Sequence, residues 1–342
     1  MPKLATFISK KFRPDVLGGR LDKNHKSFFN LDMLDIESES PALMVNAVCF
    51  GPKKDNVLIN LEHAISKPDK ILIFYYEDIH QRWTYVNTHG ESYFLYKKND
   101  FEQYLIKPNS LYIRGCYIDP CDKYWVMLGD FFNFVELYDG HVLCHPRKQM
   151  PNESKLFQLN NSLKNASQNS RSISIGQSYV IKGADAFDLL DKDKSYIVKS
   201  LSGVRSIVVD KYSYNNWDHS SINNIPVLFQ EKADGHDVRI HILENNIFGK
   251  RSHSKKNIDY RYDDNFFKLA DENNFNQEIV DFCVSVSNEE NNKLLGIDLI
   301  QTQTGYVVLE ANPSPGWSAY HPYNGIDAEP FITELLRVLK SD

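Results

Sequence analysis

Residues 307–317 read Val307-Val308-Leu309-Glu310-Ala311-Asn312-Pro313-Ser314-Pro315-Gly316-Trp317, an apolar run that turns into a polar, Pro/Gly-rich loop. Strand side chains alternate faces with period two, so Glu310 and Asn312 project to the same side of the strand's C-terminal end. Two hard oxygen donors on one face suit a cation and a ligand better than a core. Alone, the pattern is more simply a strand ending in a polar turn. Its surroundings decide between the two.

Just upstream, Gly296 to Ile300 and Tyr306 to Leu309 read as a hairpin through Gln301-Thr302-Gln303-Thr304-Gly305. A turn near Thr304 leaves Asp298 and Glu310 equidistant from it and therefore face to face. A slip of one residue would put them on opposite faces. Asp298, Glu310 and Asn312 then form a triad of hard ligands. Such a set suits Mg²⁺ held between protein and substrate phosphates, as one ion or, with a bridging Glu310, as two.

Phosphates beside such metals need cations. Lys199 ends the apolar run Tyr196-Ile197-Val198-Lys199, where a lysine points from a sheet into a cleft. The following loop, Ser200 to Arg205, has backbone N–H groups that could close over phosphates, although Gly203 is its one glycine. Arg239 shares a strand face with Asp237 and His241, and its fixed fork suits a phosphate or carboxylate; a cross-strand salt bridge is the alternative. Between these elements, Pro226 to Gly235 reads as a connector whose Gln230-Glu231-Lys232-Ala233 backbone is placed to read an adenine edge, with Asp237 placed for ribose hydroxyls.

The 342 residues suit two or three packed subdomains rather than one small core. Apolar residues at 42% and charged residues at 25% are ordinary for a water-soluble chain, and a net charge of −6 argues against a general nucleic-acid binder. The apolar runs are strand length, too short to span a bilayer, and the first residues lack the apolar core of a secretory signal. Five cysteines, an odd number thinly spread, fit a reducing cytoplasm better than a disulfide framework. Cys116, Cys121, Cys144 and His145 match no standard zinc spacing.

Residues 1–148 alternate strands and helices: a strand over Lys70 to Tyr76, a hairpin over Trp83 to Leu95, a strand over Ser110 to Arg114 and a buried helix over Asp122 to Leu137. Composition shifts near Pro146 to Pro151 toward Asn, Ser and Gln, and Pro151 to Leu159 opens like a capped helix. Strands are expected at 196–199, 206–209, 227–231, 238–243 and 247–250. Ile279, Phe282, Cys283 and Val286 mark the core face of a helix.

The ordered set Lys155, Lys199, Gln230-Glu231, Asp237-x-Arg239, Lys250-Arg251, Asp298 and Glu310-x-Asn312 resembles the ATP-grasp superfamily, and within it the RimK-type carboxylate–amine ligases, over residues 150 to 342. Its most specific part is GIDLI…VVLEANPSPGW…GIDA. KSLSGVRSIVVD around Lys199 and Ile258-Asp259-Tyr260-Arg261 are similar to the branch that matures ribosomal peptides into graspetides, with ω-ester or ω-amide cross-links. The stretch SLYIRG…HPRKQMPNESKLFQL is similar to a pre-grasp region leading into the grasp helix. The phosphate loop departs from the family, carrying Ser202, Val204, Arg205 and Ser206 where many members have glycines.

The resemblance implies an α+β/α/β architecture. An ATP-grasp fold, two α+β subdomains clasping ATP (149–230 and 231–342), follows an α/β pre-grasp domain (1–148). It implies ATP and one or two Mg²⁺ as cofactors, with the metal on Asp298, Glu310 and Asn312. Lys155 and Lys199 would hold phosphates; Gln230, Glu231, Lys232 and Ala233 the adenine; Asp237 the ribose. Arg239 would stabilise the acylphosphate and its tetrahedral adduct. Lys250, Arg251, Asp259 and Arg261 would sit on the acceptor side, Arg261 gripping a substrate carboxylate with Arg251 as its alternative. The partner would be a precursor peptide, leader plus acidic core, or a small-molecule amine or carboxylate. A ligase of free amino acids or short peptides and a non-catalytic ATP-binding regulator are the other readings. No nucleic-acid or membrane partner is expected, and homo-oligomers are common in the family.

Overall fold

The computed structural model describes residues 42–88, 91–98, 103–115, 125–149, 155–168, 170–182, 189–191, 193–201, 226–252, 270–272, 275–323, 325 and 329–341. The chain divides into two compact units, one of Met1–Pro146 with Tyr323–Asp342 and one of Arg147–Pro322. Among the described residues the α-helices longer than four residues are α1 (Asn56–Ala64), α2 (Trp125–Val135), α3 (Lys155–Asn160), α4 (Ser162–Ser167), α5 (Gln277–Glu289) and α6 (Pro330–Lys340).

In the first unit, β1 (Leu43–Gly51), β2 (Ile71–Tyr75), β5 (Gln103–Ile113) and β6 (His141–Leu143) run parallel, and the hairpin of β3 (Trp83–Thr88) and β4 (Glu91–Lys97) joins the near half of β5 antiparallel. The aromatic richness of this half is spent on its core. Phe50 packs on Phe131 with ring centroids 4.8 Å apart, on Phe94 at 5.1 Å and on Trp83 at 5.2 Å. Helix α1 is started by Asp55, whose carboxylate accepts from the N–H of Leu58 at 3.0 Å.

Helix α6 belongs to this unit rather than to the segment that precedes it. Its apolar face packs on β1 and β5, Ser110 Oγ donates to the Leu339 carbonyl at 3.1 Å, and Lys340 Nζ lies 2.8 Å from Asp69. Residues 323–342, read from sequence as the end of a C-terminal subdomain, thus return to the N-terminal sheet.

The second unit holds two sheets. A three-stranded antiparallel sheet, ordered β8-β10-β9, contains β8 (Ser178–Ile181), β9 (Tyr196–Ser200) and β10 (Val227–Glu231). A six-stranded sheet is ordered β13-β12-β11-β14-β15-β7. Its members are β7 (Ile173–Ile175), β11 (His236–Leu243), β12 (Asn246–Arg251), β13 (Ala270–Glu272), β14 (Leu294–Gln301) and β15 (Tyr306–Asn312).

One face of the larger sheet is covered by α3, α4 and α5. Val238, Ile240 and Ile242 of β11 meet Ile279, Phe282, Cys283 and Val286 there, the helix face expected from sequence. Segment 155–175 therefore packs with this sheet, its β7 pairing parallel to β15. The other face of β11 presents Asp237, Arg239 and His241, all buried.

Candidate active site

The hairpin of β14 and β15 places the acidic pair. At its turn Gln301 pairs with Tyr306, a register that, continued, would set Asp298 opposite Leu309 and send Glu310 to the helix-covered face. A bulge between Asp298 and Leu299 absorbs one extra residue on β15, and Asp298 pairs with Glu310 and Gly296 with Asn312. Burial records the shift: Val308 and Ala311, three apart, are the buried residues of β15.

Cations interleave with these carboxylates. Lys155 Nζ, at the first residue of α3, lies 2.9 Å from Glu310 Oε2, and Arg239 Nη1 lies 2.8 Å from Asp298 Oδ2. Lys155, Lys199 and Arg239 are nearly buried, whereas the two carboxylates keep part of their surface in solvent. Burial pushes the Glu310 carboxyl up, but the charges of Lys155, Lys199 and Arg239 outweigh it and hold the group down at about 2. The carboxylate is ionised at neutral pH, as a hard cation requires.

Helix α3 contributes a second side chain that sequence reading did not single out. Gln158, one turn after Lys155, donates from Nε2 to the Ala311 carbonyl at 2.6 Å and accepts from the Ala311 N–H at Oε1 at 3.3 Å. This clamps the backbone between Glu310 and Asn312. The i, i+3 spacing from Lys155 was the available signal. The Asn312 carboxamide oxygen accepts from the Ser314 N–H at 2.9 Å, closing the turn that the prolines follow. Trp317 is fully buried and packs this loop.

Lys199, on β9, donates to Gln230 Oε1 at 2.8 Å. The Gln230 Nε2 is buried with no hydrogen-bond partner among the described residues. Glu231 instead points its side chain to Lys194 at 3.0 Å, while its N–H donates to the Gln177 carbonyl; this leaves its own carbonyl to meet a base. Lys232 pairs with Asp234 at 3.2 Å, and its N–H is taken by the Ser195 carbonyl. An open cavity of about 500 Å³ is lined by Glu231, Lys232 and Ala233 together with Ser174, Gly176 and Val307. Asp237 is buried on the same face as Arg239, its N–H donating to Ser252 Oγ at 3.1 Å.

Register separates the two basic residues of β12. Lys250 pairs with Arg239 and shares its face, reaching Asp271 at 2.5 Å, whereas Arg251 pairs with Val238 on the helix-covered face. The period of two thus sets Arg251, the alternative to Arg261 for a substrate carboxylate, on the face opposite Arg239. The phosphate loop 202–206, the expected strand 206–209, and Asp259, Tyr260 and Arg261 lie outside the described residues, as do Cys116 and Cys121. Among the described residues no His/Cys/Asp/Glu cluster holds a metal by itself, which leaves any cation at Asp298, Glu310 and Asn312 to share oxygen ligands with a substrate. That donor set, the lysines beside it and the orphaned Gln230 amide fit a Mg²⁺-bound nucleotide. No helix among the described residues is long and apolar enough to cross a membrane.

The family model of a RimK-like ATP-grasp domain matches residues 197–336. No curated protein matches the chain. Among solved structures, a Chryseobacterium gregarium RiPP-associated ATP-grasp ligase, in complex with ADP and a leader and core peptide, is similar at a TM-score of 0.67 and 15% identity, covering 86% of this chain and 96% of that one. The macrocyclase MdnC from Microcystis aeruginosa, bound with precursor peptide MdnA, also gives 0.67 and 15%, covering 86% and 100%. The ATP-grasp ligase PsnB, complexed with precursor peptide PsnA2 and AMPPNP, gives 0.63 and 19%, covering 89% and 100%. At these identities the likeness is one of fold.

Proposed function

We propose that the chain, whose residues 197–336 match the family model of a RimK-like ATP-grasp domain, is an ATP-dependent, ADP-forming ligase. It activates a substrate carboxylate as an acylphosphate and joins it to an amine or hydroxyl. One observation carries this reading: two carboxylates on a single sheet face each meet a cation, Lys155 of α3 on Glu310 and Arg239 of β11 on Asp298, with Lys199 close enough to lower the Glu310 pKa.

The chemistry asks for positioning and charge neutralisation, with no nucleophile from the protein. A substrate carboxylate oxygen attacks the γ-phosphorus and ADP leaves; an amine or hydroxyl then attacks the acyl carbon and phosphate leaves. Lys155 and Lys199 hold the nucleotide phosphates. Gln230, the backbone of Glu231 to Ala233, and Asp237 hold the nucleoside. Asp298, Glu310 and Asn312 hold one or two Mg²⁺, which offset phosphate charge when bound. Arg239 faces the reacting oxygens, and Arg261 grips the substrate carboxylate. The three-stranded sheet and the six-stranded sheet serve as the two jaws.

We assign the substrate as a ribosomal precursor peptide whose acidic side chains are joined to Ser, Thr or Lys. Support comes from the similar folds solved with precursor peptides and from the KSLSGVRSIVVD and Ile258-Asp259-Tyr260-Arg261 stretches. Cys49, Cys144 and Cys283, buried and outside any disulfide among the described residues, support a reducing cytoplasm. The test is incubation with ATP, Mg²⁺ and a candidate precursor peptide, read by mass spectrometry. Successive losses of water from the peptide are expected. An unmodified peptide, alongside ADP release with free amino acids, overturns the peptide assignment.

A further inference from the structure

Behind Arg239 two buried histidines form a chain that the proposed reaction does not itself require. Arg239 Nε donates to His241 Nε2 at 3.3 Å, and His241 Nδ1 lies 3.1 Å from His321 Nε2, the two rings meeting edge to face with centroids 4.9 Å apart. His241 is fully buried and His321 almost so. The guanidinium also stacks over Tyr320, 5.6 Å from its ring centroid, and its terminal nitrogen occupies the space that a side chain at Gly296 would fill.

The hydrogen-bond chemistry of this chain has one direction. An arginine Nε–H only donates, so His241 Nε2 accepts and its proton sits on Nδ1; Nδ1–H then donates to His321 Nε2, whose own proton sits on Nδ1. A neutral ring is required for this, and burial together with the Arg239 charge keeps His241 well below its usual pKa. His321 lies in the loop that follows Asn312, and its N–H donates to the Trp317 carbonyl at 2.9 Å. The chain therefore joins the arginine of β11 to the loop that continues from Glu310 and Asn312.

We propose that His241 and His321 are positioning residues for Arg239. His241 fixes the guanidinium plane through Nε, leaving Nη1 and Nη2 to face Asp298 and the reacting phosphoryl group, and His321 fixes the tautomer of His241. The role rests on the ligase reading, in which Arg239 meets the γ-phosphate but not ADP.

The experiment uses the full chain as wild type, His241→Leu, His241→Gln and His321→Leu, titrated calorimetrically with Mg²⁺–AMPPNP and with Mg²⁺–ADP. His241→Leu is expected to weaken AMPPNP by about tenfold, the size of one buried hydrogen bond to a charged group, and to leave ADP unchanged. His241→Gln, whose Oε1 reaches the place of Nε2, restores the AMPPNP affinity, and His321→Leu falls between. Equal affinities in wild type and His241→Leu, or an equal loss for both nucleotides, overturn the proposal. A wild type that binds neither nucleotide sinks the ligase reading instead. A second arm is independent of any ligand: ¹⁵N-histidine spectra of the wild type should show His241 as the neutral Nδ1–H tautomer. An Nε2–H tautomer or an imidazolium there refutes the chain of donors.

Discussion

Asp298 and Glu310 face each other across β14 and β15 because Leu309 is an extra residue in the ladder. With the bulge straightened and Leu309 kept, the register at Gln301 and Tyr306 would carry Glu310 to the face of Ile297, which is fully buried. Inserting one alanine after Leu309, with the bulge still holding one residue, makes the same shift and should cost on the order of 3–5 kcal/mol, the penalty of burying an unpaired charge. Deleting Leu309, which closes the ladder and leaves Glu310 opposite Asp298, should cost clearly less. Denaturant titration of both variants checks this; equal costs would show that register is not the cause.

Lys155 is the counterpart. In Lys155→Met the Glu310 carboxylate loses its 2.9 Å partner, and its pKa should rise. Since Glu310 keeps part of its surface in water, the stability loss should be about 1–3 kcal/mol, below that of a fully buried pair. ATP turnover should fall with it, and Glu310→Ala should abolish turnover. Undiminished turnover in Glu310→Ala would remove the metal assignment.

Gly296 is the residue opposite Asn312 and His241, and any Cβ there would overlap Arg239 Nη2 and approach Pro315 Cβ to 2.8 Å. Gly296→Ala should displace the guanidinium. The expected loss in kcat is about a hundredfold or more, the scale of removing one charge-stabilising donor, at a stability cost of about 1–3 kcal/mol. Kinetics and a melting curve on the same preparation separate the two effects.

Acid should expose Glu310. Its carboxyl sits at about 2 in the fold against a usual 4.5, so the unfolded state takes up the proton first. The resulting stability is present above the usual carboxylate value and is lost as pH falls toward the folded one. Glu310→Gln should flatten that part of the stability profile, measured by urea titration between about pH 5 and pH 2. An unchanged slope would mean that the lysines and Arg239 do not hold the carboxylate.

Sequence by itself determined the pattern that repeats locally. The period of two put Asp237, Arg239 and His241 on one face, and the period near 3.6 put Ile279, Phe282, Cys283 and Val286 on another. Residue chemistry named Lys199, Asp298 and Glu310, the family resemblance added Lys155, and the fold brings all four together with Arg239. What it missed depends on contacts distant in the chain. Strands β1 and β7 went unnoticed because their pairing partners lie elsewhere, and Pro108 and Lys107 hid the near half of β5. From sequence, residues 323–342 read as the end of a C-terminal subdomain, because chain order does not say which sheet an amphipathic helix will cover.

The opening stretch shows the division most sharply. Its composition announced a strand, two hard donors and a turn. Equidistance from Thr304 would have been enough only in an unbroken ladder, and the ladder is broken. The tertiary structure decided the outcome by bulging β15 at Leu309, since exposing a charged Glu310 and burying Ala311 is far more favourable than the reverse. Trp317, undetermined from sequence, is settled by the same physics: a large apolar ring is buried where the packed loop can cover it.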